Sequence, residues 1–176
     1  MRQKLDFEEI FSNRPSLNEL RKLPRKPIVA LIENIRSMHN VGSIFRCSDG
    51  ARIEELLLCG FTPTPPRPEI DKTALGSTAS VPWQYIADPV DKISQLKKSG
   101  YKIYALEQTN DSIVYTKAEY HFPLCFIAGN EVNGISDDLL NAADYSIEIP
   151  MLGIKHSLNV SVAYGIILYH MLSKCM

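Results

Sequence analysis

Short runs of β-branched and aliphatic residues recur along the chain: Ile28-Val29-Ala30-Leu31-Ile32, Leu56-Leu57-Leu58-Cys59, Lys102-Ile103-Tyr104-Ala105-Leu106, Leu124-Cys125-Phe126-Ile127-Ala128 and Ser146-Ile147-Glu148-Ile149. Runs of this length, bounded by polar and turn residues, read as strands. Between them, Val41 to Arg52, Asp88 to Ser99, Ser136 to Ala143 and Ser157 to Lys174 carry helical patterns. The alternation predicts an α/β fold with a mostly parallel sheet flanked by helices.

Punctuation supports several of these boundaries. Asp88-Pro89 supplies an N-cap with proline at the first helical position, and Gly100 follows Ser99 as a stop. Ser136 with Asp137 and Asp138 places a cap and two negative charges at the positive end of a helix. The last helix differs from the others. Its apolar residues, among them Leu158, Val160, Val162, Ala163, Ile166, Ile167, Leu168, Met171 and Leu172, surround nearly its whole circumference rather than forming one stripe. It is expected to bury two sides, one on the sheet and one on a second subunit, so a homodimer is predicted.

Composition narrows the class. At 176 residues, 45% hydrophobic, the chain has enough apolar material for one core, and a single domain is expected. Its formal net charge of -1 gives no global attraction for a polyanion. Local charge is another matter, since residues 1–26 hold seven Lys or Arg against four Asp or Glu, an excess that makes this extension a candidate RNA arm. Cys47, Cys59, Cys125 and Cys175 are scattered, with no C-x-x-C pair and no zinc-finger spacing, so reduced thiols and no metal site are predicted. There is no apolar leader segment and no long apolar run, and a cytoplasmic protein with no membrane partner is expected.

In open parallel sheets, ligands sit beyond the carboxyl ends of the strands, where helix N-termini present unpaired N–H groups. Four polar loops occupy such positions: Asn34 to Asn40, Glu107 to Asn110, Gly129 to Gly134 and Pro150 to His156. No G-x-G-x-x-G follows a strand and no Walker pattern occurs, which argues against dinucleotide enzymes and P-loop NTPases. The absence of G-x-S-x-G argues against a Ser-His-Asp hydrolase.

Three segments carry more chemistry than the rest. They are Asn40-Val41-Gly42-Ser43-Ile44-Phe45-Arg46, Gly129-Asn130-Glu131-Val132-Asn133-Gly134, and Ser157-Leu158-Asn159-Val160-Ser161-Val162-Ala163, the last preceded by Ile149-Pro150-Met151. They are read together as one pocket. In this order, and with a loop Lys72-Thr73-Ala74-Leu75-Gly76 between the first two, they resemble the three signature motifs of the SpoU-type, or TrmH-like, RNA 2'-O-ribose methyltransferases of the SPOUT superfamily. The resemblance runs from about Pro27 to about Leu172, giving a division into the 1–26 extension and a methyltransferase domain over 27–176. It implies an α/β-knot with a deep C-terminal trefoil, S-adenosyl-L-methionine as methyl donor, homodimers, and RNA as substrate, with tRNA favoured over rRNA and no DNA expected.

The resemblance also implies roles. Arg46 would take the ribose proton or stabilise the oxyanion beside an RNA phosphate. Because arginine stays protonated in proteins, the second role suits it better. Asn40 would contact RNA or orient Arg46, although an Asn before Val41 is equally a helix N-cap. Glu131 would orient the arginine or its neighbouring loop, and Ser157 with Asn159 would place a hydroxyl and an amide near the transfer point. Gly129, Ile149 and Leu158 would surround the adenosine, with Met151 and the stretch Leu106 to Thr109 completing the wall. His156 is assigned no catalytic part. Without the motifs, Arg46 reads as a helix arginine paired with a carboxylate such as Asp49, Ser157 as an N-cap, and Ile149 and Leu158 as core. The alternative of another class is a non-catalytic knotted RNA-binding or assembly protein.

Overall fold

The computed structural model describes residues 2–176. Its centre is a seven-stranded sheet in which every pairing is parallel. In chain order the strands are β1 (Lys26–Glu33), β2 (Ile53–Cys59), β3 (Trp83–Ile86), β4 (Lys102–Leu106), β5 (Ile113–Val114), β6 (Leu124–Ala128) and β7 (Tyr145–Glu148), and across the sheet they lie β3-β2-β1-β6-β4-β7-β5. The helices are α1 (Phe7–Ser12), α2 (Leu17–Leu20), α3 (Met38–Ala51), α4 (Pro68–Ala74), α5 (Pro89–Lys98), α6 (Asp137–Ala142) and α7 (Val160–Lys174).

The continuous apolar runs of β1 and β6 follow from burial on both faces, as parallel strands between two helical layers require. Alternate residues divide cleanly. Ile28, Ala30, Ile32, Phe126 and Ala128 face the layer of α3, α4 and α7, whereas Val29, Leu31, Cys125 and Ile127 face α5 and α6. On the first side, Tyr164 of α7 lies against Phe126 with ring centres 5.0 Å apart, and its hydroxyl shares a 2.6 Å hydrogen bond with the buried Ser48 of α3. Burial pushes the Tyr164 phenol well up, so it stays neutral in that contact. Gly42 lets α4 approach α3 closely, because a Cβ there would overlap the Thr73 side chain and the Ile70 carbonyl.

Two capping expectations change. The cap of α3 is Ser37, whose hydroxyl accepts from the Asn40 backbone N–H, so Asn40 lies inside the first turn. Likewise α7 begins at Val160, capped by Asn159, whose Oδ1 accepts from the Ser161 N–H at 2.9 Å. Ser157 and Leu158 therefore belong to the preceding loop. Asp88 caps α5 as expected, with Gly100 beyond it at φ +90. Strands β3 and β5 and helices α1, α2 and α4 were not legible in the pattern of the chain. Among the described residues no helix is long and apolar enough to cross a membrane.

Candidate active site

Loops at the carboxyl ends of β4, β6 and β7, together with the segment entering α7, enclose a cavity of about 290 Å³. The β6 loop is folded tightly on itself. Asn130 and Gly134 exchange backbone hydrogen bonds of 3.0 and 2.9 Å, and Asn130 Oδ1 accepts from the Val132 and Asn133 N–H groups at 2.9 Å each. Glycine is required at both ends of this turn. A Cβ at Gly129 would overlap the backbone of Gly134 and Ile135, and Gly134 combines φ +69 with a carboxylate oxygen of Glu107 where its Cβ would be.

Glu107 holds that turn from the β4 side. One of its carboxylate oxygens accepts from the Ile135 N–H and the other from the Gln108 N–H, both at 3.0 Å. Gln108 then donates to the His156 carbonyl at 2.7 Å, tying the β4 loop to the segment before α7. On the β1 side, the buried Glu33 accepts from the Ser136 N–H at 2.8 Å, and the Asn34 carbonyl accepts from Asn130 Nδ2 at 2.7 Å.

Asn40 joins the three motif segments. Its Nδ2 donates to Glu131 Oε1 at 2.8 Å, and its Oδ1 accepts from Asn159 Nδ2 at 3.2 Å. The arrangement satisfies both ends of one side-chain amide with partners from the β6 loop and the α7 cap. The cavity is walled by Leu106, Gly129, Ile149, Met151, Ser157 and Leu158, each named from sequence, and Glu131 also lines it. Thr109 does not line it; its hydroxyl turns to Asp111 at 2.7 Å.

Arg46 stands apart. It is exposed on α3, outside the cavity wall, and among the described residues no carboxylate lies within ion-pair distance of it. The pairing with Asp49 that a reading without the motifs would give is absent, and Asp49 accepts instead from the Ser80 hydroxyl. The adjacent Cys47, beside Gly165 of α7, has its thiol pushed up by burial despite the arginine's charge, so it is a packing residue rather than a nucleophile.

Glu107 and Glu131, both within segments singled out from sequence, line the cavity together with Glu148, which the sequence did not point to, whereas no Lys or Arg does. Glu148 accepts from the Ser112 hydroxyl at 2.9 Å. An excess of carboxylates over cations favours a ligand bearing positive charge and disfavours a phosphate. His156, the end of the last of the four polar loops and assigned no catalytic part, also lines the wall. Among the described residues no cluster could hold a metal ion.

Comparison with known proteins finds relatives of one kind. The tRNA (guanosine(18)-2'-O)-methyltransferase of Aquifex aeolicus is 32% identical over 154 residues, covering 87% of this chain and 72% of that protein. The enzyme of the same name from Escherichia coli K12 is 32% identical over 146 residues, covering 82% of this chain and 63% of that protein. Among solved structures, the A. aeolicus TrmH/SpoU tRNA modifying enzyme matches with a TM-score of 0.81 at 30% identity, covering 90% of this chain and 81% of that one. The AdoMet-bound rRNA methyltransferase of Sinorhizobium meliloti matches with a TM-score of 0.80 at 26% identity, covering 89% and 60%. Residues 27–169 match the SpoU rRNA Methylase family. With the three motifs joined at Asn40 and the family pattern spanning most of the sequence, this chain belongs to the SpoU rRNA methylase family.

Proposed function

We propose that this protein transfers a methyl group from S-adenosyl-L-methionine to a ribose 2'-hydroxyl of RNA, with tRNA the favoured substrate. The observation that carries the reading is the joining of Glu131 and Asn159 through Asn40 at the edge of a carboxylate-lined cavity. The cavity fits the donor chemically. Leu106, Ile149, Met151 and Leu158 offer apolar surface for a nucleoside, the Gly129–Gly134 turn brings backbone close to it, and the three carboxylates suit a sulfonium and an ammonium group. When bound, the sulfonium supplies an activated methyl, so the reaction needs no metal.

The chain's own task is to aim and deprotonate the acceptor. A ribose hydroxyl attacks only when its lone pair is in line with the methyl and its proton has somewhere to go. Arg46 meets the acceptor from outside its own chain's cavity, holding the neighbouring phosphate and stabilising the developing oxyanion with its planar fork. Asn40 fixes Glu131 and Asn159, and Ser157 presents its hydroxyl at the cavity wall.

The protein acts as a homodimer in the cytoplasm. Supporting the dimer are Val162 and Tyr169, half exposed on α7, and the uncovered Leu152 and Ile154 in the loop before it. The C-terminal segment forms a trefoil knot. In favour of that threading, α7 leaves β7 near one edge of the sheet yet packs on α3, while Tyr115 and Tyr120 from the segment around β5 lie against His170 of α7. The segment before β1 serves as an RNA-contacting extension, which is consistent with α1 and α2 burying no residue of their own. Arg25 is tied to the domain instead, donating to the Ile53 and Ser80 carbonyls at 3.1 and 2.8 Å. Removing the extension short of Arg25 is expected to weaken RNA binding more at low than at high salt.

The test is transfer of labelled methyl from S-adenosyl-L-methionine to tRNA transcripts, followed by nuclease digestion and nucleoside analysis. A 2'-O-methylnucleoside supports the reading. No transfer to any RNA supports a non-catalytic binding protein, and a base-methylated product overturns the assignment of the acceptor.

A further inference from the structure

A second groove, of about 500 Å³, opens beside the loop that connects β1 to α3. Arg36, Met38, Phe61, Pro63 and Arg67 line it. Phe61 is 57% exposed, and neither guanidinium makes a hydrogen bond or ion pair among the described residues. Arg67 precedes α4 without capping it through its side chain. We propose that this groove binds a single-stranded stretch of the RNA substrate flanking the acceptor nucleotide, the two arginines holding phosphates and Phe61 stacking on a base. The inference rests on the ribose methyltransferase reading and names the substrate surface beside its site.

Chemistry and placement both favour this occupant. An exposed aromatic ring sharing a groove with two free guanidiniums combines a stacking platform with a phosphate clamp, the pair of features that single-stranded nucleic acid requires. An apolar protein partner would have to bury two unpaired charges in the same contact, at a large desolvation cost. The ring is also deliberately held out. Its backbone N–H donates to Asn34 Oδ1 at 3.1 Å, and Gly60 before it, at φ +63, has no room for a Cβ against that side chain. Asn34 itself adopts φ +56 and presents its carbonyl to Asn130 at 2.7 Å. One residue thus fixes both the stacking turn and the β6 loop of the methyl-donor cavity. Arg36 and Met38 belong to the same loop and first turn that run from Asn34 to Asn40, so one short segment both lines the groove and makes the contacts to Glu131 and Asn159.

Binding of pooled unmodified tRNA transcripts tests the groove. Arg36→Ala combined with Arg67→Ala is expected to raise Kd about tenfold or more at low salt and to flatten the salt dependence by roughly 0.7 per lost phosphate contact. The matching double lysine variant is expected to recover the slope. Phe61→Ala is expected to weaken binding about tenfold at every salt concentration, and Phe61→Trp to recover it, because any aromatic face can stack. Parental Kd and salt slope in the double alanine variant overturn the proposal, as does a Phe61→Ala loss that Phe61→Trp fails to recover. Calorimetry with S-adenosyl-L-methionine on the same samples reports an intact donor cavity. A parent that binds RNA through this groove yet transfers no methyl overturns the enzymatic reading alone.

Discussion

Asn40 donates from Nδ2 to Oε1 of Glu131 at 2.8 Å, across 91 residues of sequence. The contact fixes the β6 loop to the first turn of α3. Asn40→Ala leaves a half-buried carboxylate without this donor and frees Asn159, at a cost of about 1–2 kcal/mol. Methyl transfer is expected to fall about tenfold or more, with a small drop in melting temperature. Unchanged transfer in that variant contradicts the positioning role.

Arg46 stands outside the cavity, so under the proposed function its loss should affect acceptor chemistry and leave donor binding unchanged. Arg46→Ala is expected to lower transfer about 100-fold or more, as loss of a guanidinium at a developing oxyanion does. Its stability should stay within about 0.5 kcal/mol of the parent, since the side chain is exposed and unpaired. Calorimetry should return the parental Kd for S-adenosyl-L-methionine.

At Gly129 a methyl group has no place to go, because backbone atoms rather than a flexible side chain occupy its position. Gly129→Ala must displace the turn, with strain of about 1–3 kcal/mol. The expected readout is donor affinity weakened about tenfold or more in a protein that still unfolds cooperatively.

Glu148 contributes charge to the cavity wall, and S-adenosylhomocysteine differs from the donor by the loss of its sulfonium charge. Glu148→Gln is therefore expected to weaken S-adenosyl-L-methionine by on the order of 1 kcal/mol, roughly fivefold, and the demethylated product less. Equal weakening of both ligands would mean that Glu148 acts only through its bond to Ser112.

Burial alone would raise the Asp144 carboxyl, but the Ile103 N–H at 2.8 Å and the Lys97 ammonium at 2.9 Å outweigh it and hold the group below its ordinary range. A folded-state value depressed below the unfolded one gives stability that is complete above the unfolded carboxylate range, near about pH 4, and is lost as pH falls through the folded value. Chemical denaturation at neutral and acid pH should show the parent losing more stability on acidification than Asp144→Asn.

How far the molecule could be read from its residues depended on burial. β4 and β6 begin and end where the sequence runs do, because β6 is buried throughout and β4 is buried from Ile103 to Ala105, with only Lys102 exposed at its start. β3 and β5 escaped notice since they are short and only partly covered, with Tyr85 and Ile113 exposed. The proline-rich stretch before Pro68 concealed α4, for which proline is an ordinary first residue. At the site, Gly129 and Leu158 were legible through the motifs. The bond from Asn40 to Asn159 and the outward placement of Arg46 were not, because they depend on how α3 and α7 are set against each other, which no local pattern records.

Asn159 caps α7 with the same side chain whose amide reaches Asn40. Docking of α7 and placement of that amide beside Asn40 are thus one event. Any change that unseats the first turn of α7 therefore also removes a partner from the link between α3 and the β6 loop, so helix packing and the edge of the cavity stand or fall together.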